Sequence, residues 1–525
     1  DHGGQRLKLS ELYKAVHEAG IQGSEAENND PWAPRQEIEV TSLHYNTRDV
    51  RPGGLFVAIE GFSTDGHRYI QDAVDMGAVA VVSQKPSTAP IPVFQVSDSR
   101  KALAVLADRF FGAPSRRLTV IGVTGTNGKT TTAYLIENIL LAAGFQVGVI
   151  GTVNYRYKGK LFENPVTTPE SLDLQRILSE MLSEGVTHVV LEVSSHAIDL
   201  SRIAGCRMDV GVFTNLTQDH LDYHGDMDRY WACKKRLFTE YLGIDKEALA
   251  VINTDDPHGL ALVSELTYPF ITTGCSPDRM VHSKSTTIDF NGIRGSITTP
   301  RGLVRFDSPL VGRHNLENIL SAAGVGSALA LPPATIQTGI DRTLSVPGRL
   351  ERVTGSPDLP IYVDYAHTPD ALENVLKALE QLSPERIICI FGCGGNRDKT
   401  KRPLMGQIAA TFAHLSMVTS DNPRSENPGD IIDQIIAGVR CLCQNEYAVK
   451  ELEHGFGHKG YCREPDRRRA IQTGIRAAEP GDMVLIAGKG HETYQIVGDI
   501  SKPFDDRAVA ESVLSAQQME VDYQP

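Results

Sequence analysis

A chain of 525 residues, 41% hydrophobic, exceeds what one compact core usually holds, so three or four domains with clefts between them are expected. Acidic residues outnumber basic ones by 65 to 52, giving a net charge of −13 with no long Lys/Arg cluster, which argues against a nucleic-acid partner. No apolar run reaches the roughly 18 residues of a membrane helix, and residues 1–30 lack the apolar stretch of a secretory signal. A cytoplasmic enzyme with no membrane partner is therefore expected. The eight cysteines contain no CxxC pair and no second ligand pair beside Cys389/Cys393 or Cys441/Cys443, so reduced thiols are expected, not a disulfide framework or a zinc site.

In chain order, residues 38–112 alternate short apolar strands (GGLFVAI, AVAVV, PVFQV) with helix or loop, the pattern of a small α/β domain. The Pro- and Arg-containing stretch 113–117 reads as a linker. From 118 the strand LTVIGV, a glycine loop and the helix TTTAYLIENILLAAG follow, then the strands VGVIG, HVVLEV, VGVFTN and LAVIN. Such uniformly apolar strands suit a parallel sheet covered on both faces. A third unit starts near 345–353 and carries IYVDYA, RIICIFGC, LSMVTS and MVLIAG, with polar or glycine-rich turns at the strand ends where α/β sheets bind ligands. The expected boundaries are 1–114, 115–346 and 347–525: a small N-terminal α/β domain, a central parallel-sheet domain of P-loop ATPase type and a C-terminal Rossmann-like domain.

Between the strand at 118–123 and the following helix lies Gly122-Val-Thr-Gly125-Thr126-Asn127-Gly128-Lys129-Thr130-Thr131. Gly125 and Gly128 let the backbone curl so that N–H groups and a helix N-terminus converge on an anion. Lys129 would reach the β- and γ-phosphates of ATP, and the Thr130 hydroxyl would coordinate Mg²⁺. From Gly122 the spacing to Lys129 is one residue longer than in a standard phosphate loop. Glu192 ends an apolar strand and should emerge beside the loop, where a metal ligand is needed; His220 occupies a similar edge. Asn315 and Asn318, three apart, share a helix face and could contact nucleotide and phosphate.

Seven ordered motifs carry a resemblance to the Mur ligase family: GTNGKTTT at 125–132, LEVSSHA at 191–197, TNLTQDHLDYHG at 214–225, RYWACKK at 229–235, GRHNLEN at 312–318, PGRLE at 347–351 and DYAHTPDAL at 364–372. The resemblance implies that Glu192 and His220 bind a second Mg²⁺. It implies that Lys234 reacts with CO₂ to form a carbamate, turning a cation into a metal-holding anion. Arg349 is implied to approach the nucleotide as the C-terminal domain closes, and Asp364 to serve the nucleotide's ribose, with His367 lining that pocket or capping a turn.

The chain ends of the motif set imply the substrates. Asn46-Thr47-Arg48 before DVRPGGLFVAIEG resembles a uridine-diphosphate segment usually written DSR followed by PGDLFVA; Thr47 keeps the hydroxyl, while Asn46 and Gly54 replace acids. Thr167, Thr168, Ser194, Arg202 and Lys234 match positions that hold a UDP-N-acetylmuramoyl dipeptide, although Thr167 and Thr168 could instead cap a helix near Pro169. FGCGGNRDKTKRPLMG at 391–406 and Asp421-Asn422-Pro423-Arg424 resemble the MurE subgroup, which adds meso-diaminopimelate. Arg397 and Arg424 can meet the extra carboxylate that distinguishes diaminopimelate from lysine. Asp421, Asn422 and Glu492 can accept from its ammonium, and Gly488 allows close backbone approach. The expectation is an ATP-dependent amide ligase of cell-wall synthesis, acting as a monomer with two Mg²⁺ ions and a CO₂-derived carbamate. Alternatives are a lysine-adding or folylpolyglutamate-type ligase, or a non-catalytic chloroplast transcription-complex relative.

Overall fold

The computed structural model describes residues 6–21, 37–61, 64–243, 247–355 and 359–522. Part of the N-terminal stretch read above for a secretory signal lies outside the described residues. Three sheets organise the rest. In the first, Ser42–His44, Gly54–Val57, Ala78–Ser83 and Val93–Gln95 run parallel in that order, and Leu103, Leu106 and Phe110 of the helix Ser99–Phe110 cover one face.

The central sheet has eleven strands. Its middle is parallel, in the order Val147–Ile150, His188–Glu192, Thr119–Thr124, Val210–Phe213, Leu249–Asn253, Phe270–Gly274. These strands are apolar because both faces are packed: Ile136, Ile139 and Leu140 meet Ile319, Leu320 and Ala323 on one side, while Leu174, Ile177, Phe213 and Phe238 pack on the other. One edge continues as an antiparallel ribbon, Val281–Asp289, Gly292–Thr299 and Gly302–Ser308, and the other as the hairpin 155–162. Neither extension was read from the sequence.

In the C-terminal sheet, Ile361–Asp364, Met483–Ala487, Ile387–Phe391, Leu415–Val418 and Gly460–Arg463 are parallel neighbours. Separate apolar clusters lie on its two faces.

The stretch 113–117 is not an open linker. Pro114–Arg116 form a short 3₁₀ turn with Pro114 and Ser115 buried, and the Ser115 hydroxyl accepts Arg207 N–H at 3.0 Å. Among the described residues no helix is long and apolar enough to cross a membrane. None of the eight cysteines forms a disulfide.

Candidate active site

The parallel strands point their C-terminal ends at a single region. Thr119–Thr124 delivers residues 125–128, which turn into the helix Lys129–Ala142. Gly128 has φ +86°, and a Cβ there would stand 2.3 Å from Asn318 Oδ1, so glycine is required by both conformation and space. Thr126 N–H and Asn127 N–H turn inward onto Asn215 O and Oδ1, at 2.8 and 2.9 Å. Of the N–H groups expected to converge on an anion, these two are used internally; the groups left for one are those of the helix's first turn, from Gly128 through Thr131, which a helix cannot satisfy internally.

Two lysines meet at this loop. Lys129 Nζ folds back to donate to Gly125 O and Thr126 O at 2.9 and 2.8 Å. Lys234 Nζ, on the helix Met227–Arg236, donates to the same Gly125 O at 2.8 Å and is 1% exposed. Burial, followed by repulsion from Lys129, holds Lys234 well below the ordinary lysine value; burial lowers Lys129 as well. The ring of Tyr230, one turn earlier, lies 4.7 Å from Lys234 Nζ. Lys235, by contrast, pairs with Glu265.

Glu192 ends its strand buried. One carboxylate oxygen accepts the Thr130 and Thr152 hydroxyls at 3.0 and 2.9 Å, and the other accepts Thr152 N–H at 3.1 Å. His220 lies at the sheet edge in the left-handed region, φ +52°, with an exposed ring 5.0 Å from that of His196. Among the described residues no three His, Cys, Asp or Glu side chains form a ready metal cage. The hydroxyl of Thr130 beside a buried carboxylate nonetheless fits a hard cation that takes one or two protein oxygens and completes its shell from phosphate and water, as Mg²⁺ does.

Asn315 and Asn318 share a face as expected, but their amides are engaged: Asn318 Nδ2 donates to Asn315 Oδ1 at 3.0 Å, and Thr132 donates to Asn318 Oδ1 at 3.3 Å. They buttress the loop from behind. Thr131 is buried in the first turn of the helix Lys129–Ala142. Asp364 is likewise committed, accepting Leu350 N–H and Ala366 N–H at 2.7 and 2.8 Å, with burial raising its pKa. Its observed work is to brace the turn that carries Arg349. That arginine stacks over Tyr365 at 5.1 Å and reaches Thr130 Oγ1 at 3.4 Å, with its buried Nε lacking a partner among the described residues. His367 Nδ1 lies 2.8 Å from Tyr365 O, a local turn contact. Sequence reasoning missed Asp370, which accepts from Asn127 Nδ2 and Thr217 at 3.3 and 2.8 Å and ties the C-terminal domain to the phosphate loop.

In the C-terminal domain, residues 421–424 follow the strand Leu415–Val418 and face residues 488–492. Asn422 Nδ2 donates to Glu492 Oε2 at 2.9 Å. Gly488 has φ +117° and stands so close to Asp421 that a Cβ would lie 2.6 Å from Oδ2. Arg424 NH1 and Arg397 Cγ flank Gly394, 3.1 and 3.6 Å from where its Cβ would be. Lys489, also missed, is fully buried and donates to Asn422 Oδ1 and Glu492 Oε2 at 3.1 and 2.9 Å. A lysine between two glycines gives no sequence sign of burial.

Toward the N-terminal domain, Arg202 donates to Thr168 O at 3.0 Å and lies 3.6 Å from Glu170, which Arg100 also pairs with at 2.7 Å. Thr168 does not cap the following helix; Glu170 does, and that helix spans Ser171–Ser183. The Thr168 hydroxyl is buried, donating to Glu192 O at 2.8 Å and accepting Ser194 N–H. Thr167 meets Thr152 at 3.1 Å, and Ser194 caps Ser195–Asp199. Thr47, half-buried, opens a 3₁₀ turn after Asn46, remote in sequence from this cluster.

A phosphate loop on a parallel sheet, roofed by a second α/β domain whose arginine touches the loop, defines a multidomain nucleotide-dependent enzyme. Family models match as the Mur ligase family catalytic domain over 39–111, the Mur ligase middle domain over 123–326 and the Mur ligase glutamate ligase domain over 348–490. The chain is 48% identical to the UDP-N-acetylmuramoyl-L-alanyl-D-glutamate–2,6-diaminopimelate ligase of Geobacter metallireducens, covering 95% of this chain and 97% of that one. It is 43% identical to the enzyme of the same name from Geobacillus thermodenitrificans, covering 91% and 95%. A solved structure bearing that ligase name superposes with a TM-score of 0.67 at 30% identity, covering 95% of this chain and 99% of that one. The chain belongs to the Mur ligase family, and is an ATP-dependent enzyme that forms amide bonds.

Proposed function

We propose that this chain joins meso-diaminopimelate to UDP-N-acetylmuramoyl-L-alanyl-D-glutamate in peptidoglycan precursor synthesis, releasing ADP and phosphate. The observation that carries the substrate reading is the placement of the Arg424 guanidinium and the stem of Arg397 about Gly394, next to Asp421, Asn422 and Glu492. Diaminopimelate presents a carboxylate and an ammonium on one distal carbon, and the two groups of side chains match those charges. Lysine would leave these arginines without that anion.

In the chemistry, an oxygen of the dipeptide carboxylate attacks the γ-phosphorus of ATP, and ADP departs. The diaminopimelate amine then attacks the acyl phosphate carbon, loses a proton, and phosphate leaves as the amide forms. Lys129 and the first-turn N–H groups hold the phosphates, and Arg349 adds charge from the closing domain. Thr130 would hold one Mg²⁺, and Glu192 with His220 a second, helped by the Lys234 carbamate; when bound, these ions offset the negative charge gathered at the γ-phosphate. The depressed pKa of Lys234 supports its carbamylation, because only the neutral amine attacks CO₂, forming the N–C bond and releasing a proton. Arg202, Thr167, Thr168, Ser194 and Thr47 are assigned to the muramoyl dipeptide and its diphosphate, the Thr168 hydroxyl acting through the backbone it holds.

Phosphate release measured with each substrate omitted in turn, and with lysine in place of diaminopimelate, tests the reading. Release should require all three substrates, with diaminopimelate favoured by at least about 100-fold in kcat/KM. Equal use of lysine would remove the assignment.

A further inference from the structure

The arginines assigned to the distal carboxylate sit on two separate loops, residues 392–400 and 420–427, so their spacing depends on what fastens the loops together. Arg402, in the first turn of the helix Lys401–Phe412, is 0% exposed. Its guanidinium forks onto Glu426, NH1 to Oε2 and NH2 to Oε1, both at 3.0 Å. It also donates to Gly394 O at 3.1 Å and to Gln434 Oε1 at 2.9 Å. Glu426 in turn accepts Asn396 N–H at 2.5 Å. The hydrogen bonds from Arg402, then the one from Asn396, hold the Glu426 carboxyl down at about 2, so the pair is ionised throughout the neutral range.

Around this pair the loops are laced by shorter-range contacts. Arg424 NH1 donates to Gly395 O at 2.9 Å, Gly395 N–H to Asn422 O at 2.9 Å, and Ser425 to Asn396 Oδ1 at 2.9 Å. Arg402 therefore touches the loop of Arg397 at Gly394 and the loop of Arg424 at Glu426, while being closed off from any ligand itself. Burying an arginine against a part-buried carboxylate is a poor way to gain stability, since desolvation offsets much of the attraction. Fixing geometry is what a bidentate fork does well.

We infer that the Arg402–Glu426 pair is a positioning device that sets the separation of Arg397 and Arg424, so that the preference for diaminopimelate over lysine depends on two residues outside the substrate pocket. The inference rests on the proposed substrate. Arg402→Lys keeps the charge and loses the fork; Glu426→Gln keeps the shape and loses the ion. For each variant, kcat and the KM values for diaminopimelate, lysine and ATP are measured beside the thermal midpoint. The KM for diaminopimelate should rise on the order of 10- to 100-fold, the effect of displacing a binding group by about 1 Å, with lysine and ATP values within about twofold. The double variant should be no worse than the worse single one, as for partners in one interaction. A parallel rise for diaminopimelate, lysine and ATP, or no change in any, would overturn the inference. So would loss of folding in both variants, which would place the pair in general stability. A wild-type enzyme that uses lysine as well as diaminopimelate would instead remove the substrate reading, and that control separates the two failures.

Discussion

Two ammonium groups share the Gly125 carbonyl oxygen, from Lys129 and Lys234, and in a buried setting they cannot both keep a full charge at little cost. Because the folded pKa of Lys234 lies well below the ordinary value, the unfolded chain binds more protons in the window between the two. This group's contribution to stability is thus fully present above the unfolded pKa and is lost as pH falls through the folded one. The neutral, CO₂-reactive fraction follows the same direction. Enzyme stripped of CO₂ should therefore regain activity on adding it, and more slowly at lower pH for a fixed dissolved CO₂; a recovery independent of CO₂ would remove the carbamate. Lys234→Ala should lower kcat by about 100-fold or more, the scale of losing one charge-stabilising group at the reacting centre. Short carboxylates should restore part of it, which a phosphate-release assay can follow. Arg424→Ala should raise the KM for diaminopimelate by on the order of 100-fold, as for a truncated ion-pair partner, while the KM for ATP holds.

Several residues of this centre were legible in the sequence because their chemistry needs a fixed spacing. Gly128, Lys129 and Thr130 had to follow a strand, and Glu192 had to end one. Asn315 and Asn318 share the expected helix face and Asp364 ends its strand, and each is engaged by protein groups that the sequence does not show, since spacing gives a face of an element and says nothing of what fills it. Lys489 and Arg402 were not legible as site residues. Long cationic side chains normally reach solvent, and only the fold encloses these two.

At the scale of elements, the site exists because parallel strands end together and glycine lets loops approach them. Apolar runs such as HVVLE and VGVF identified those strands readily, being buried on both faces. The ribbon at 281–308 escaped because its strands are only partly buried and mix polar with apolar residues. Residues 443–465, to which the sequence assigns no role, hold a two-residue strand, a 3₁₀ turn and the strand Gly460–Arg463, elements too short or irregular to show a period. Close approach makes a sharp expectation at Gly488. Gly488→Ala forces a Cβ toward Asp421 in a left-handed backbone and should raise the KM for diaminopimelate at least about tenfold while leaving nucleotide binding, read by calorimetry, within about twofold.

For the whole molecule, polar contacts hold the C-terminal domain at the phosphate loop, Asp370 to Asn127 and Thr217 and Arg349 to Thr130, while farther from the loop Val311 joins the C-terminal core and Tyr362 donates to Phe290 O at 3.4 Å. Such a seam can open to admit substrates and reform to exclude water. Asp370→Ala removes hydrogen bonds to a charged acceptor, worth about 1.5–3 kcal/mol. It should raise the KM for ATP roughly tenfold while the unfolding midpoint moves by only a few degrees. An unchanged KM would show that the contact is incidental to closure.

The central claim, that a dipeptide carboxylate is phosphorylated where the loop, Lys234 and the roofing domain meet, is tested most directly by isotope transfer. Dipeptide substrate labelled with oxygen-18 in its D-glutamate side-chain carboxylate is turned over with ATP and diaminopimelate, and the released phosphate is analysed by mass spectrometry. An acyl phosphate route delivers one labelled oxygen to each phosphate. Unlabelled phosphate, with amide product formed at the same rate, would contradict it.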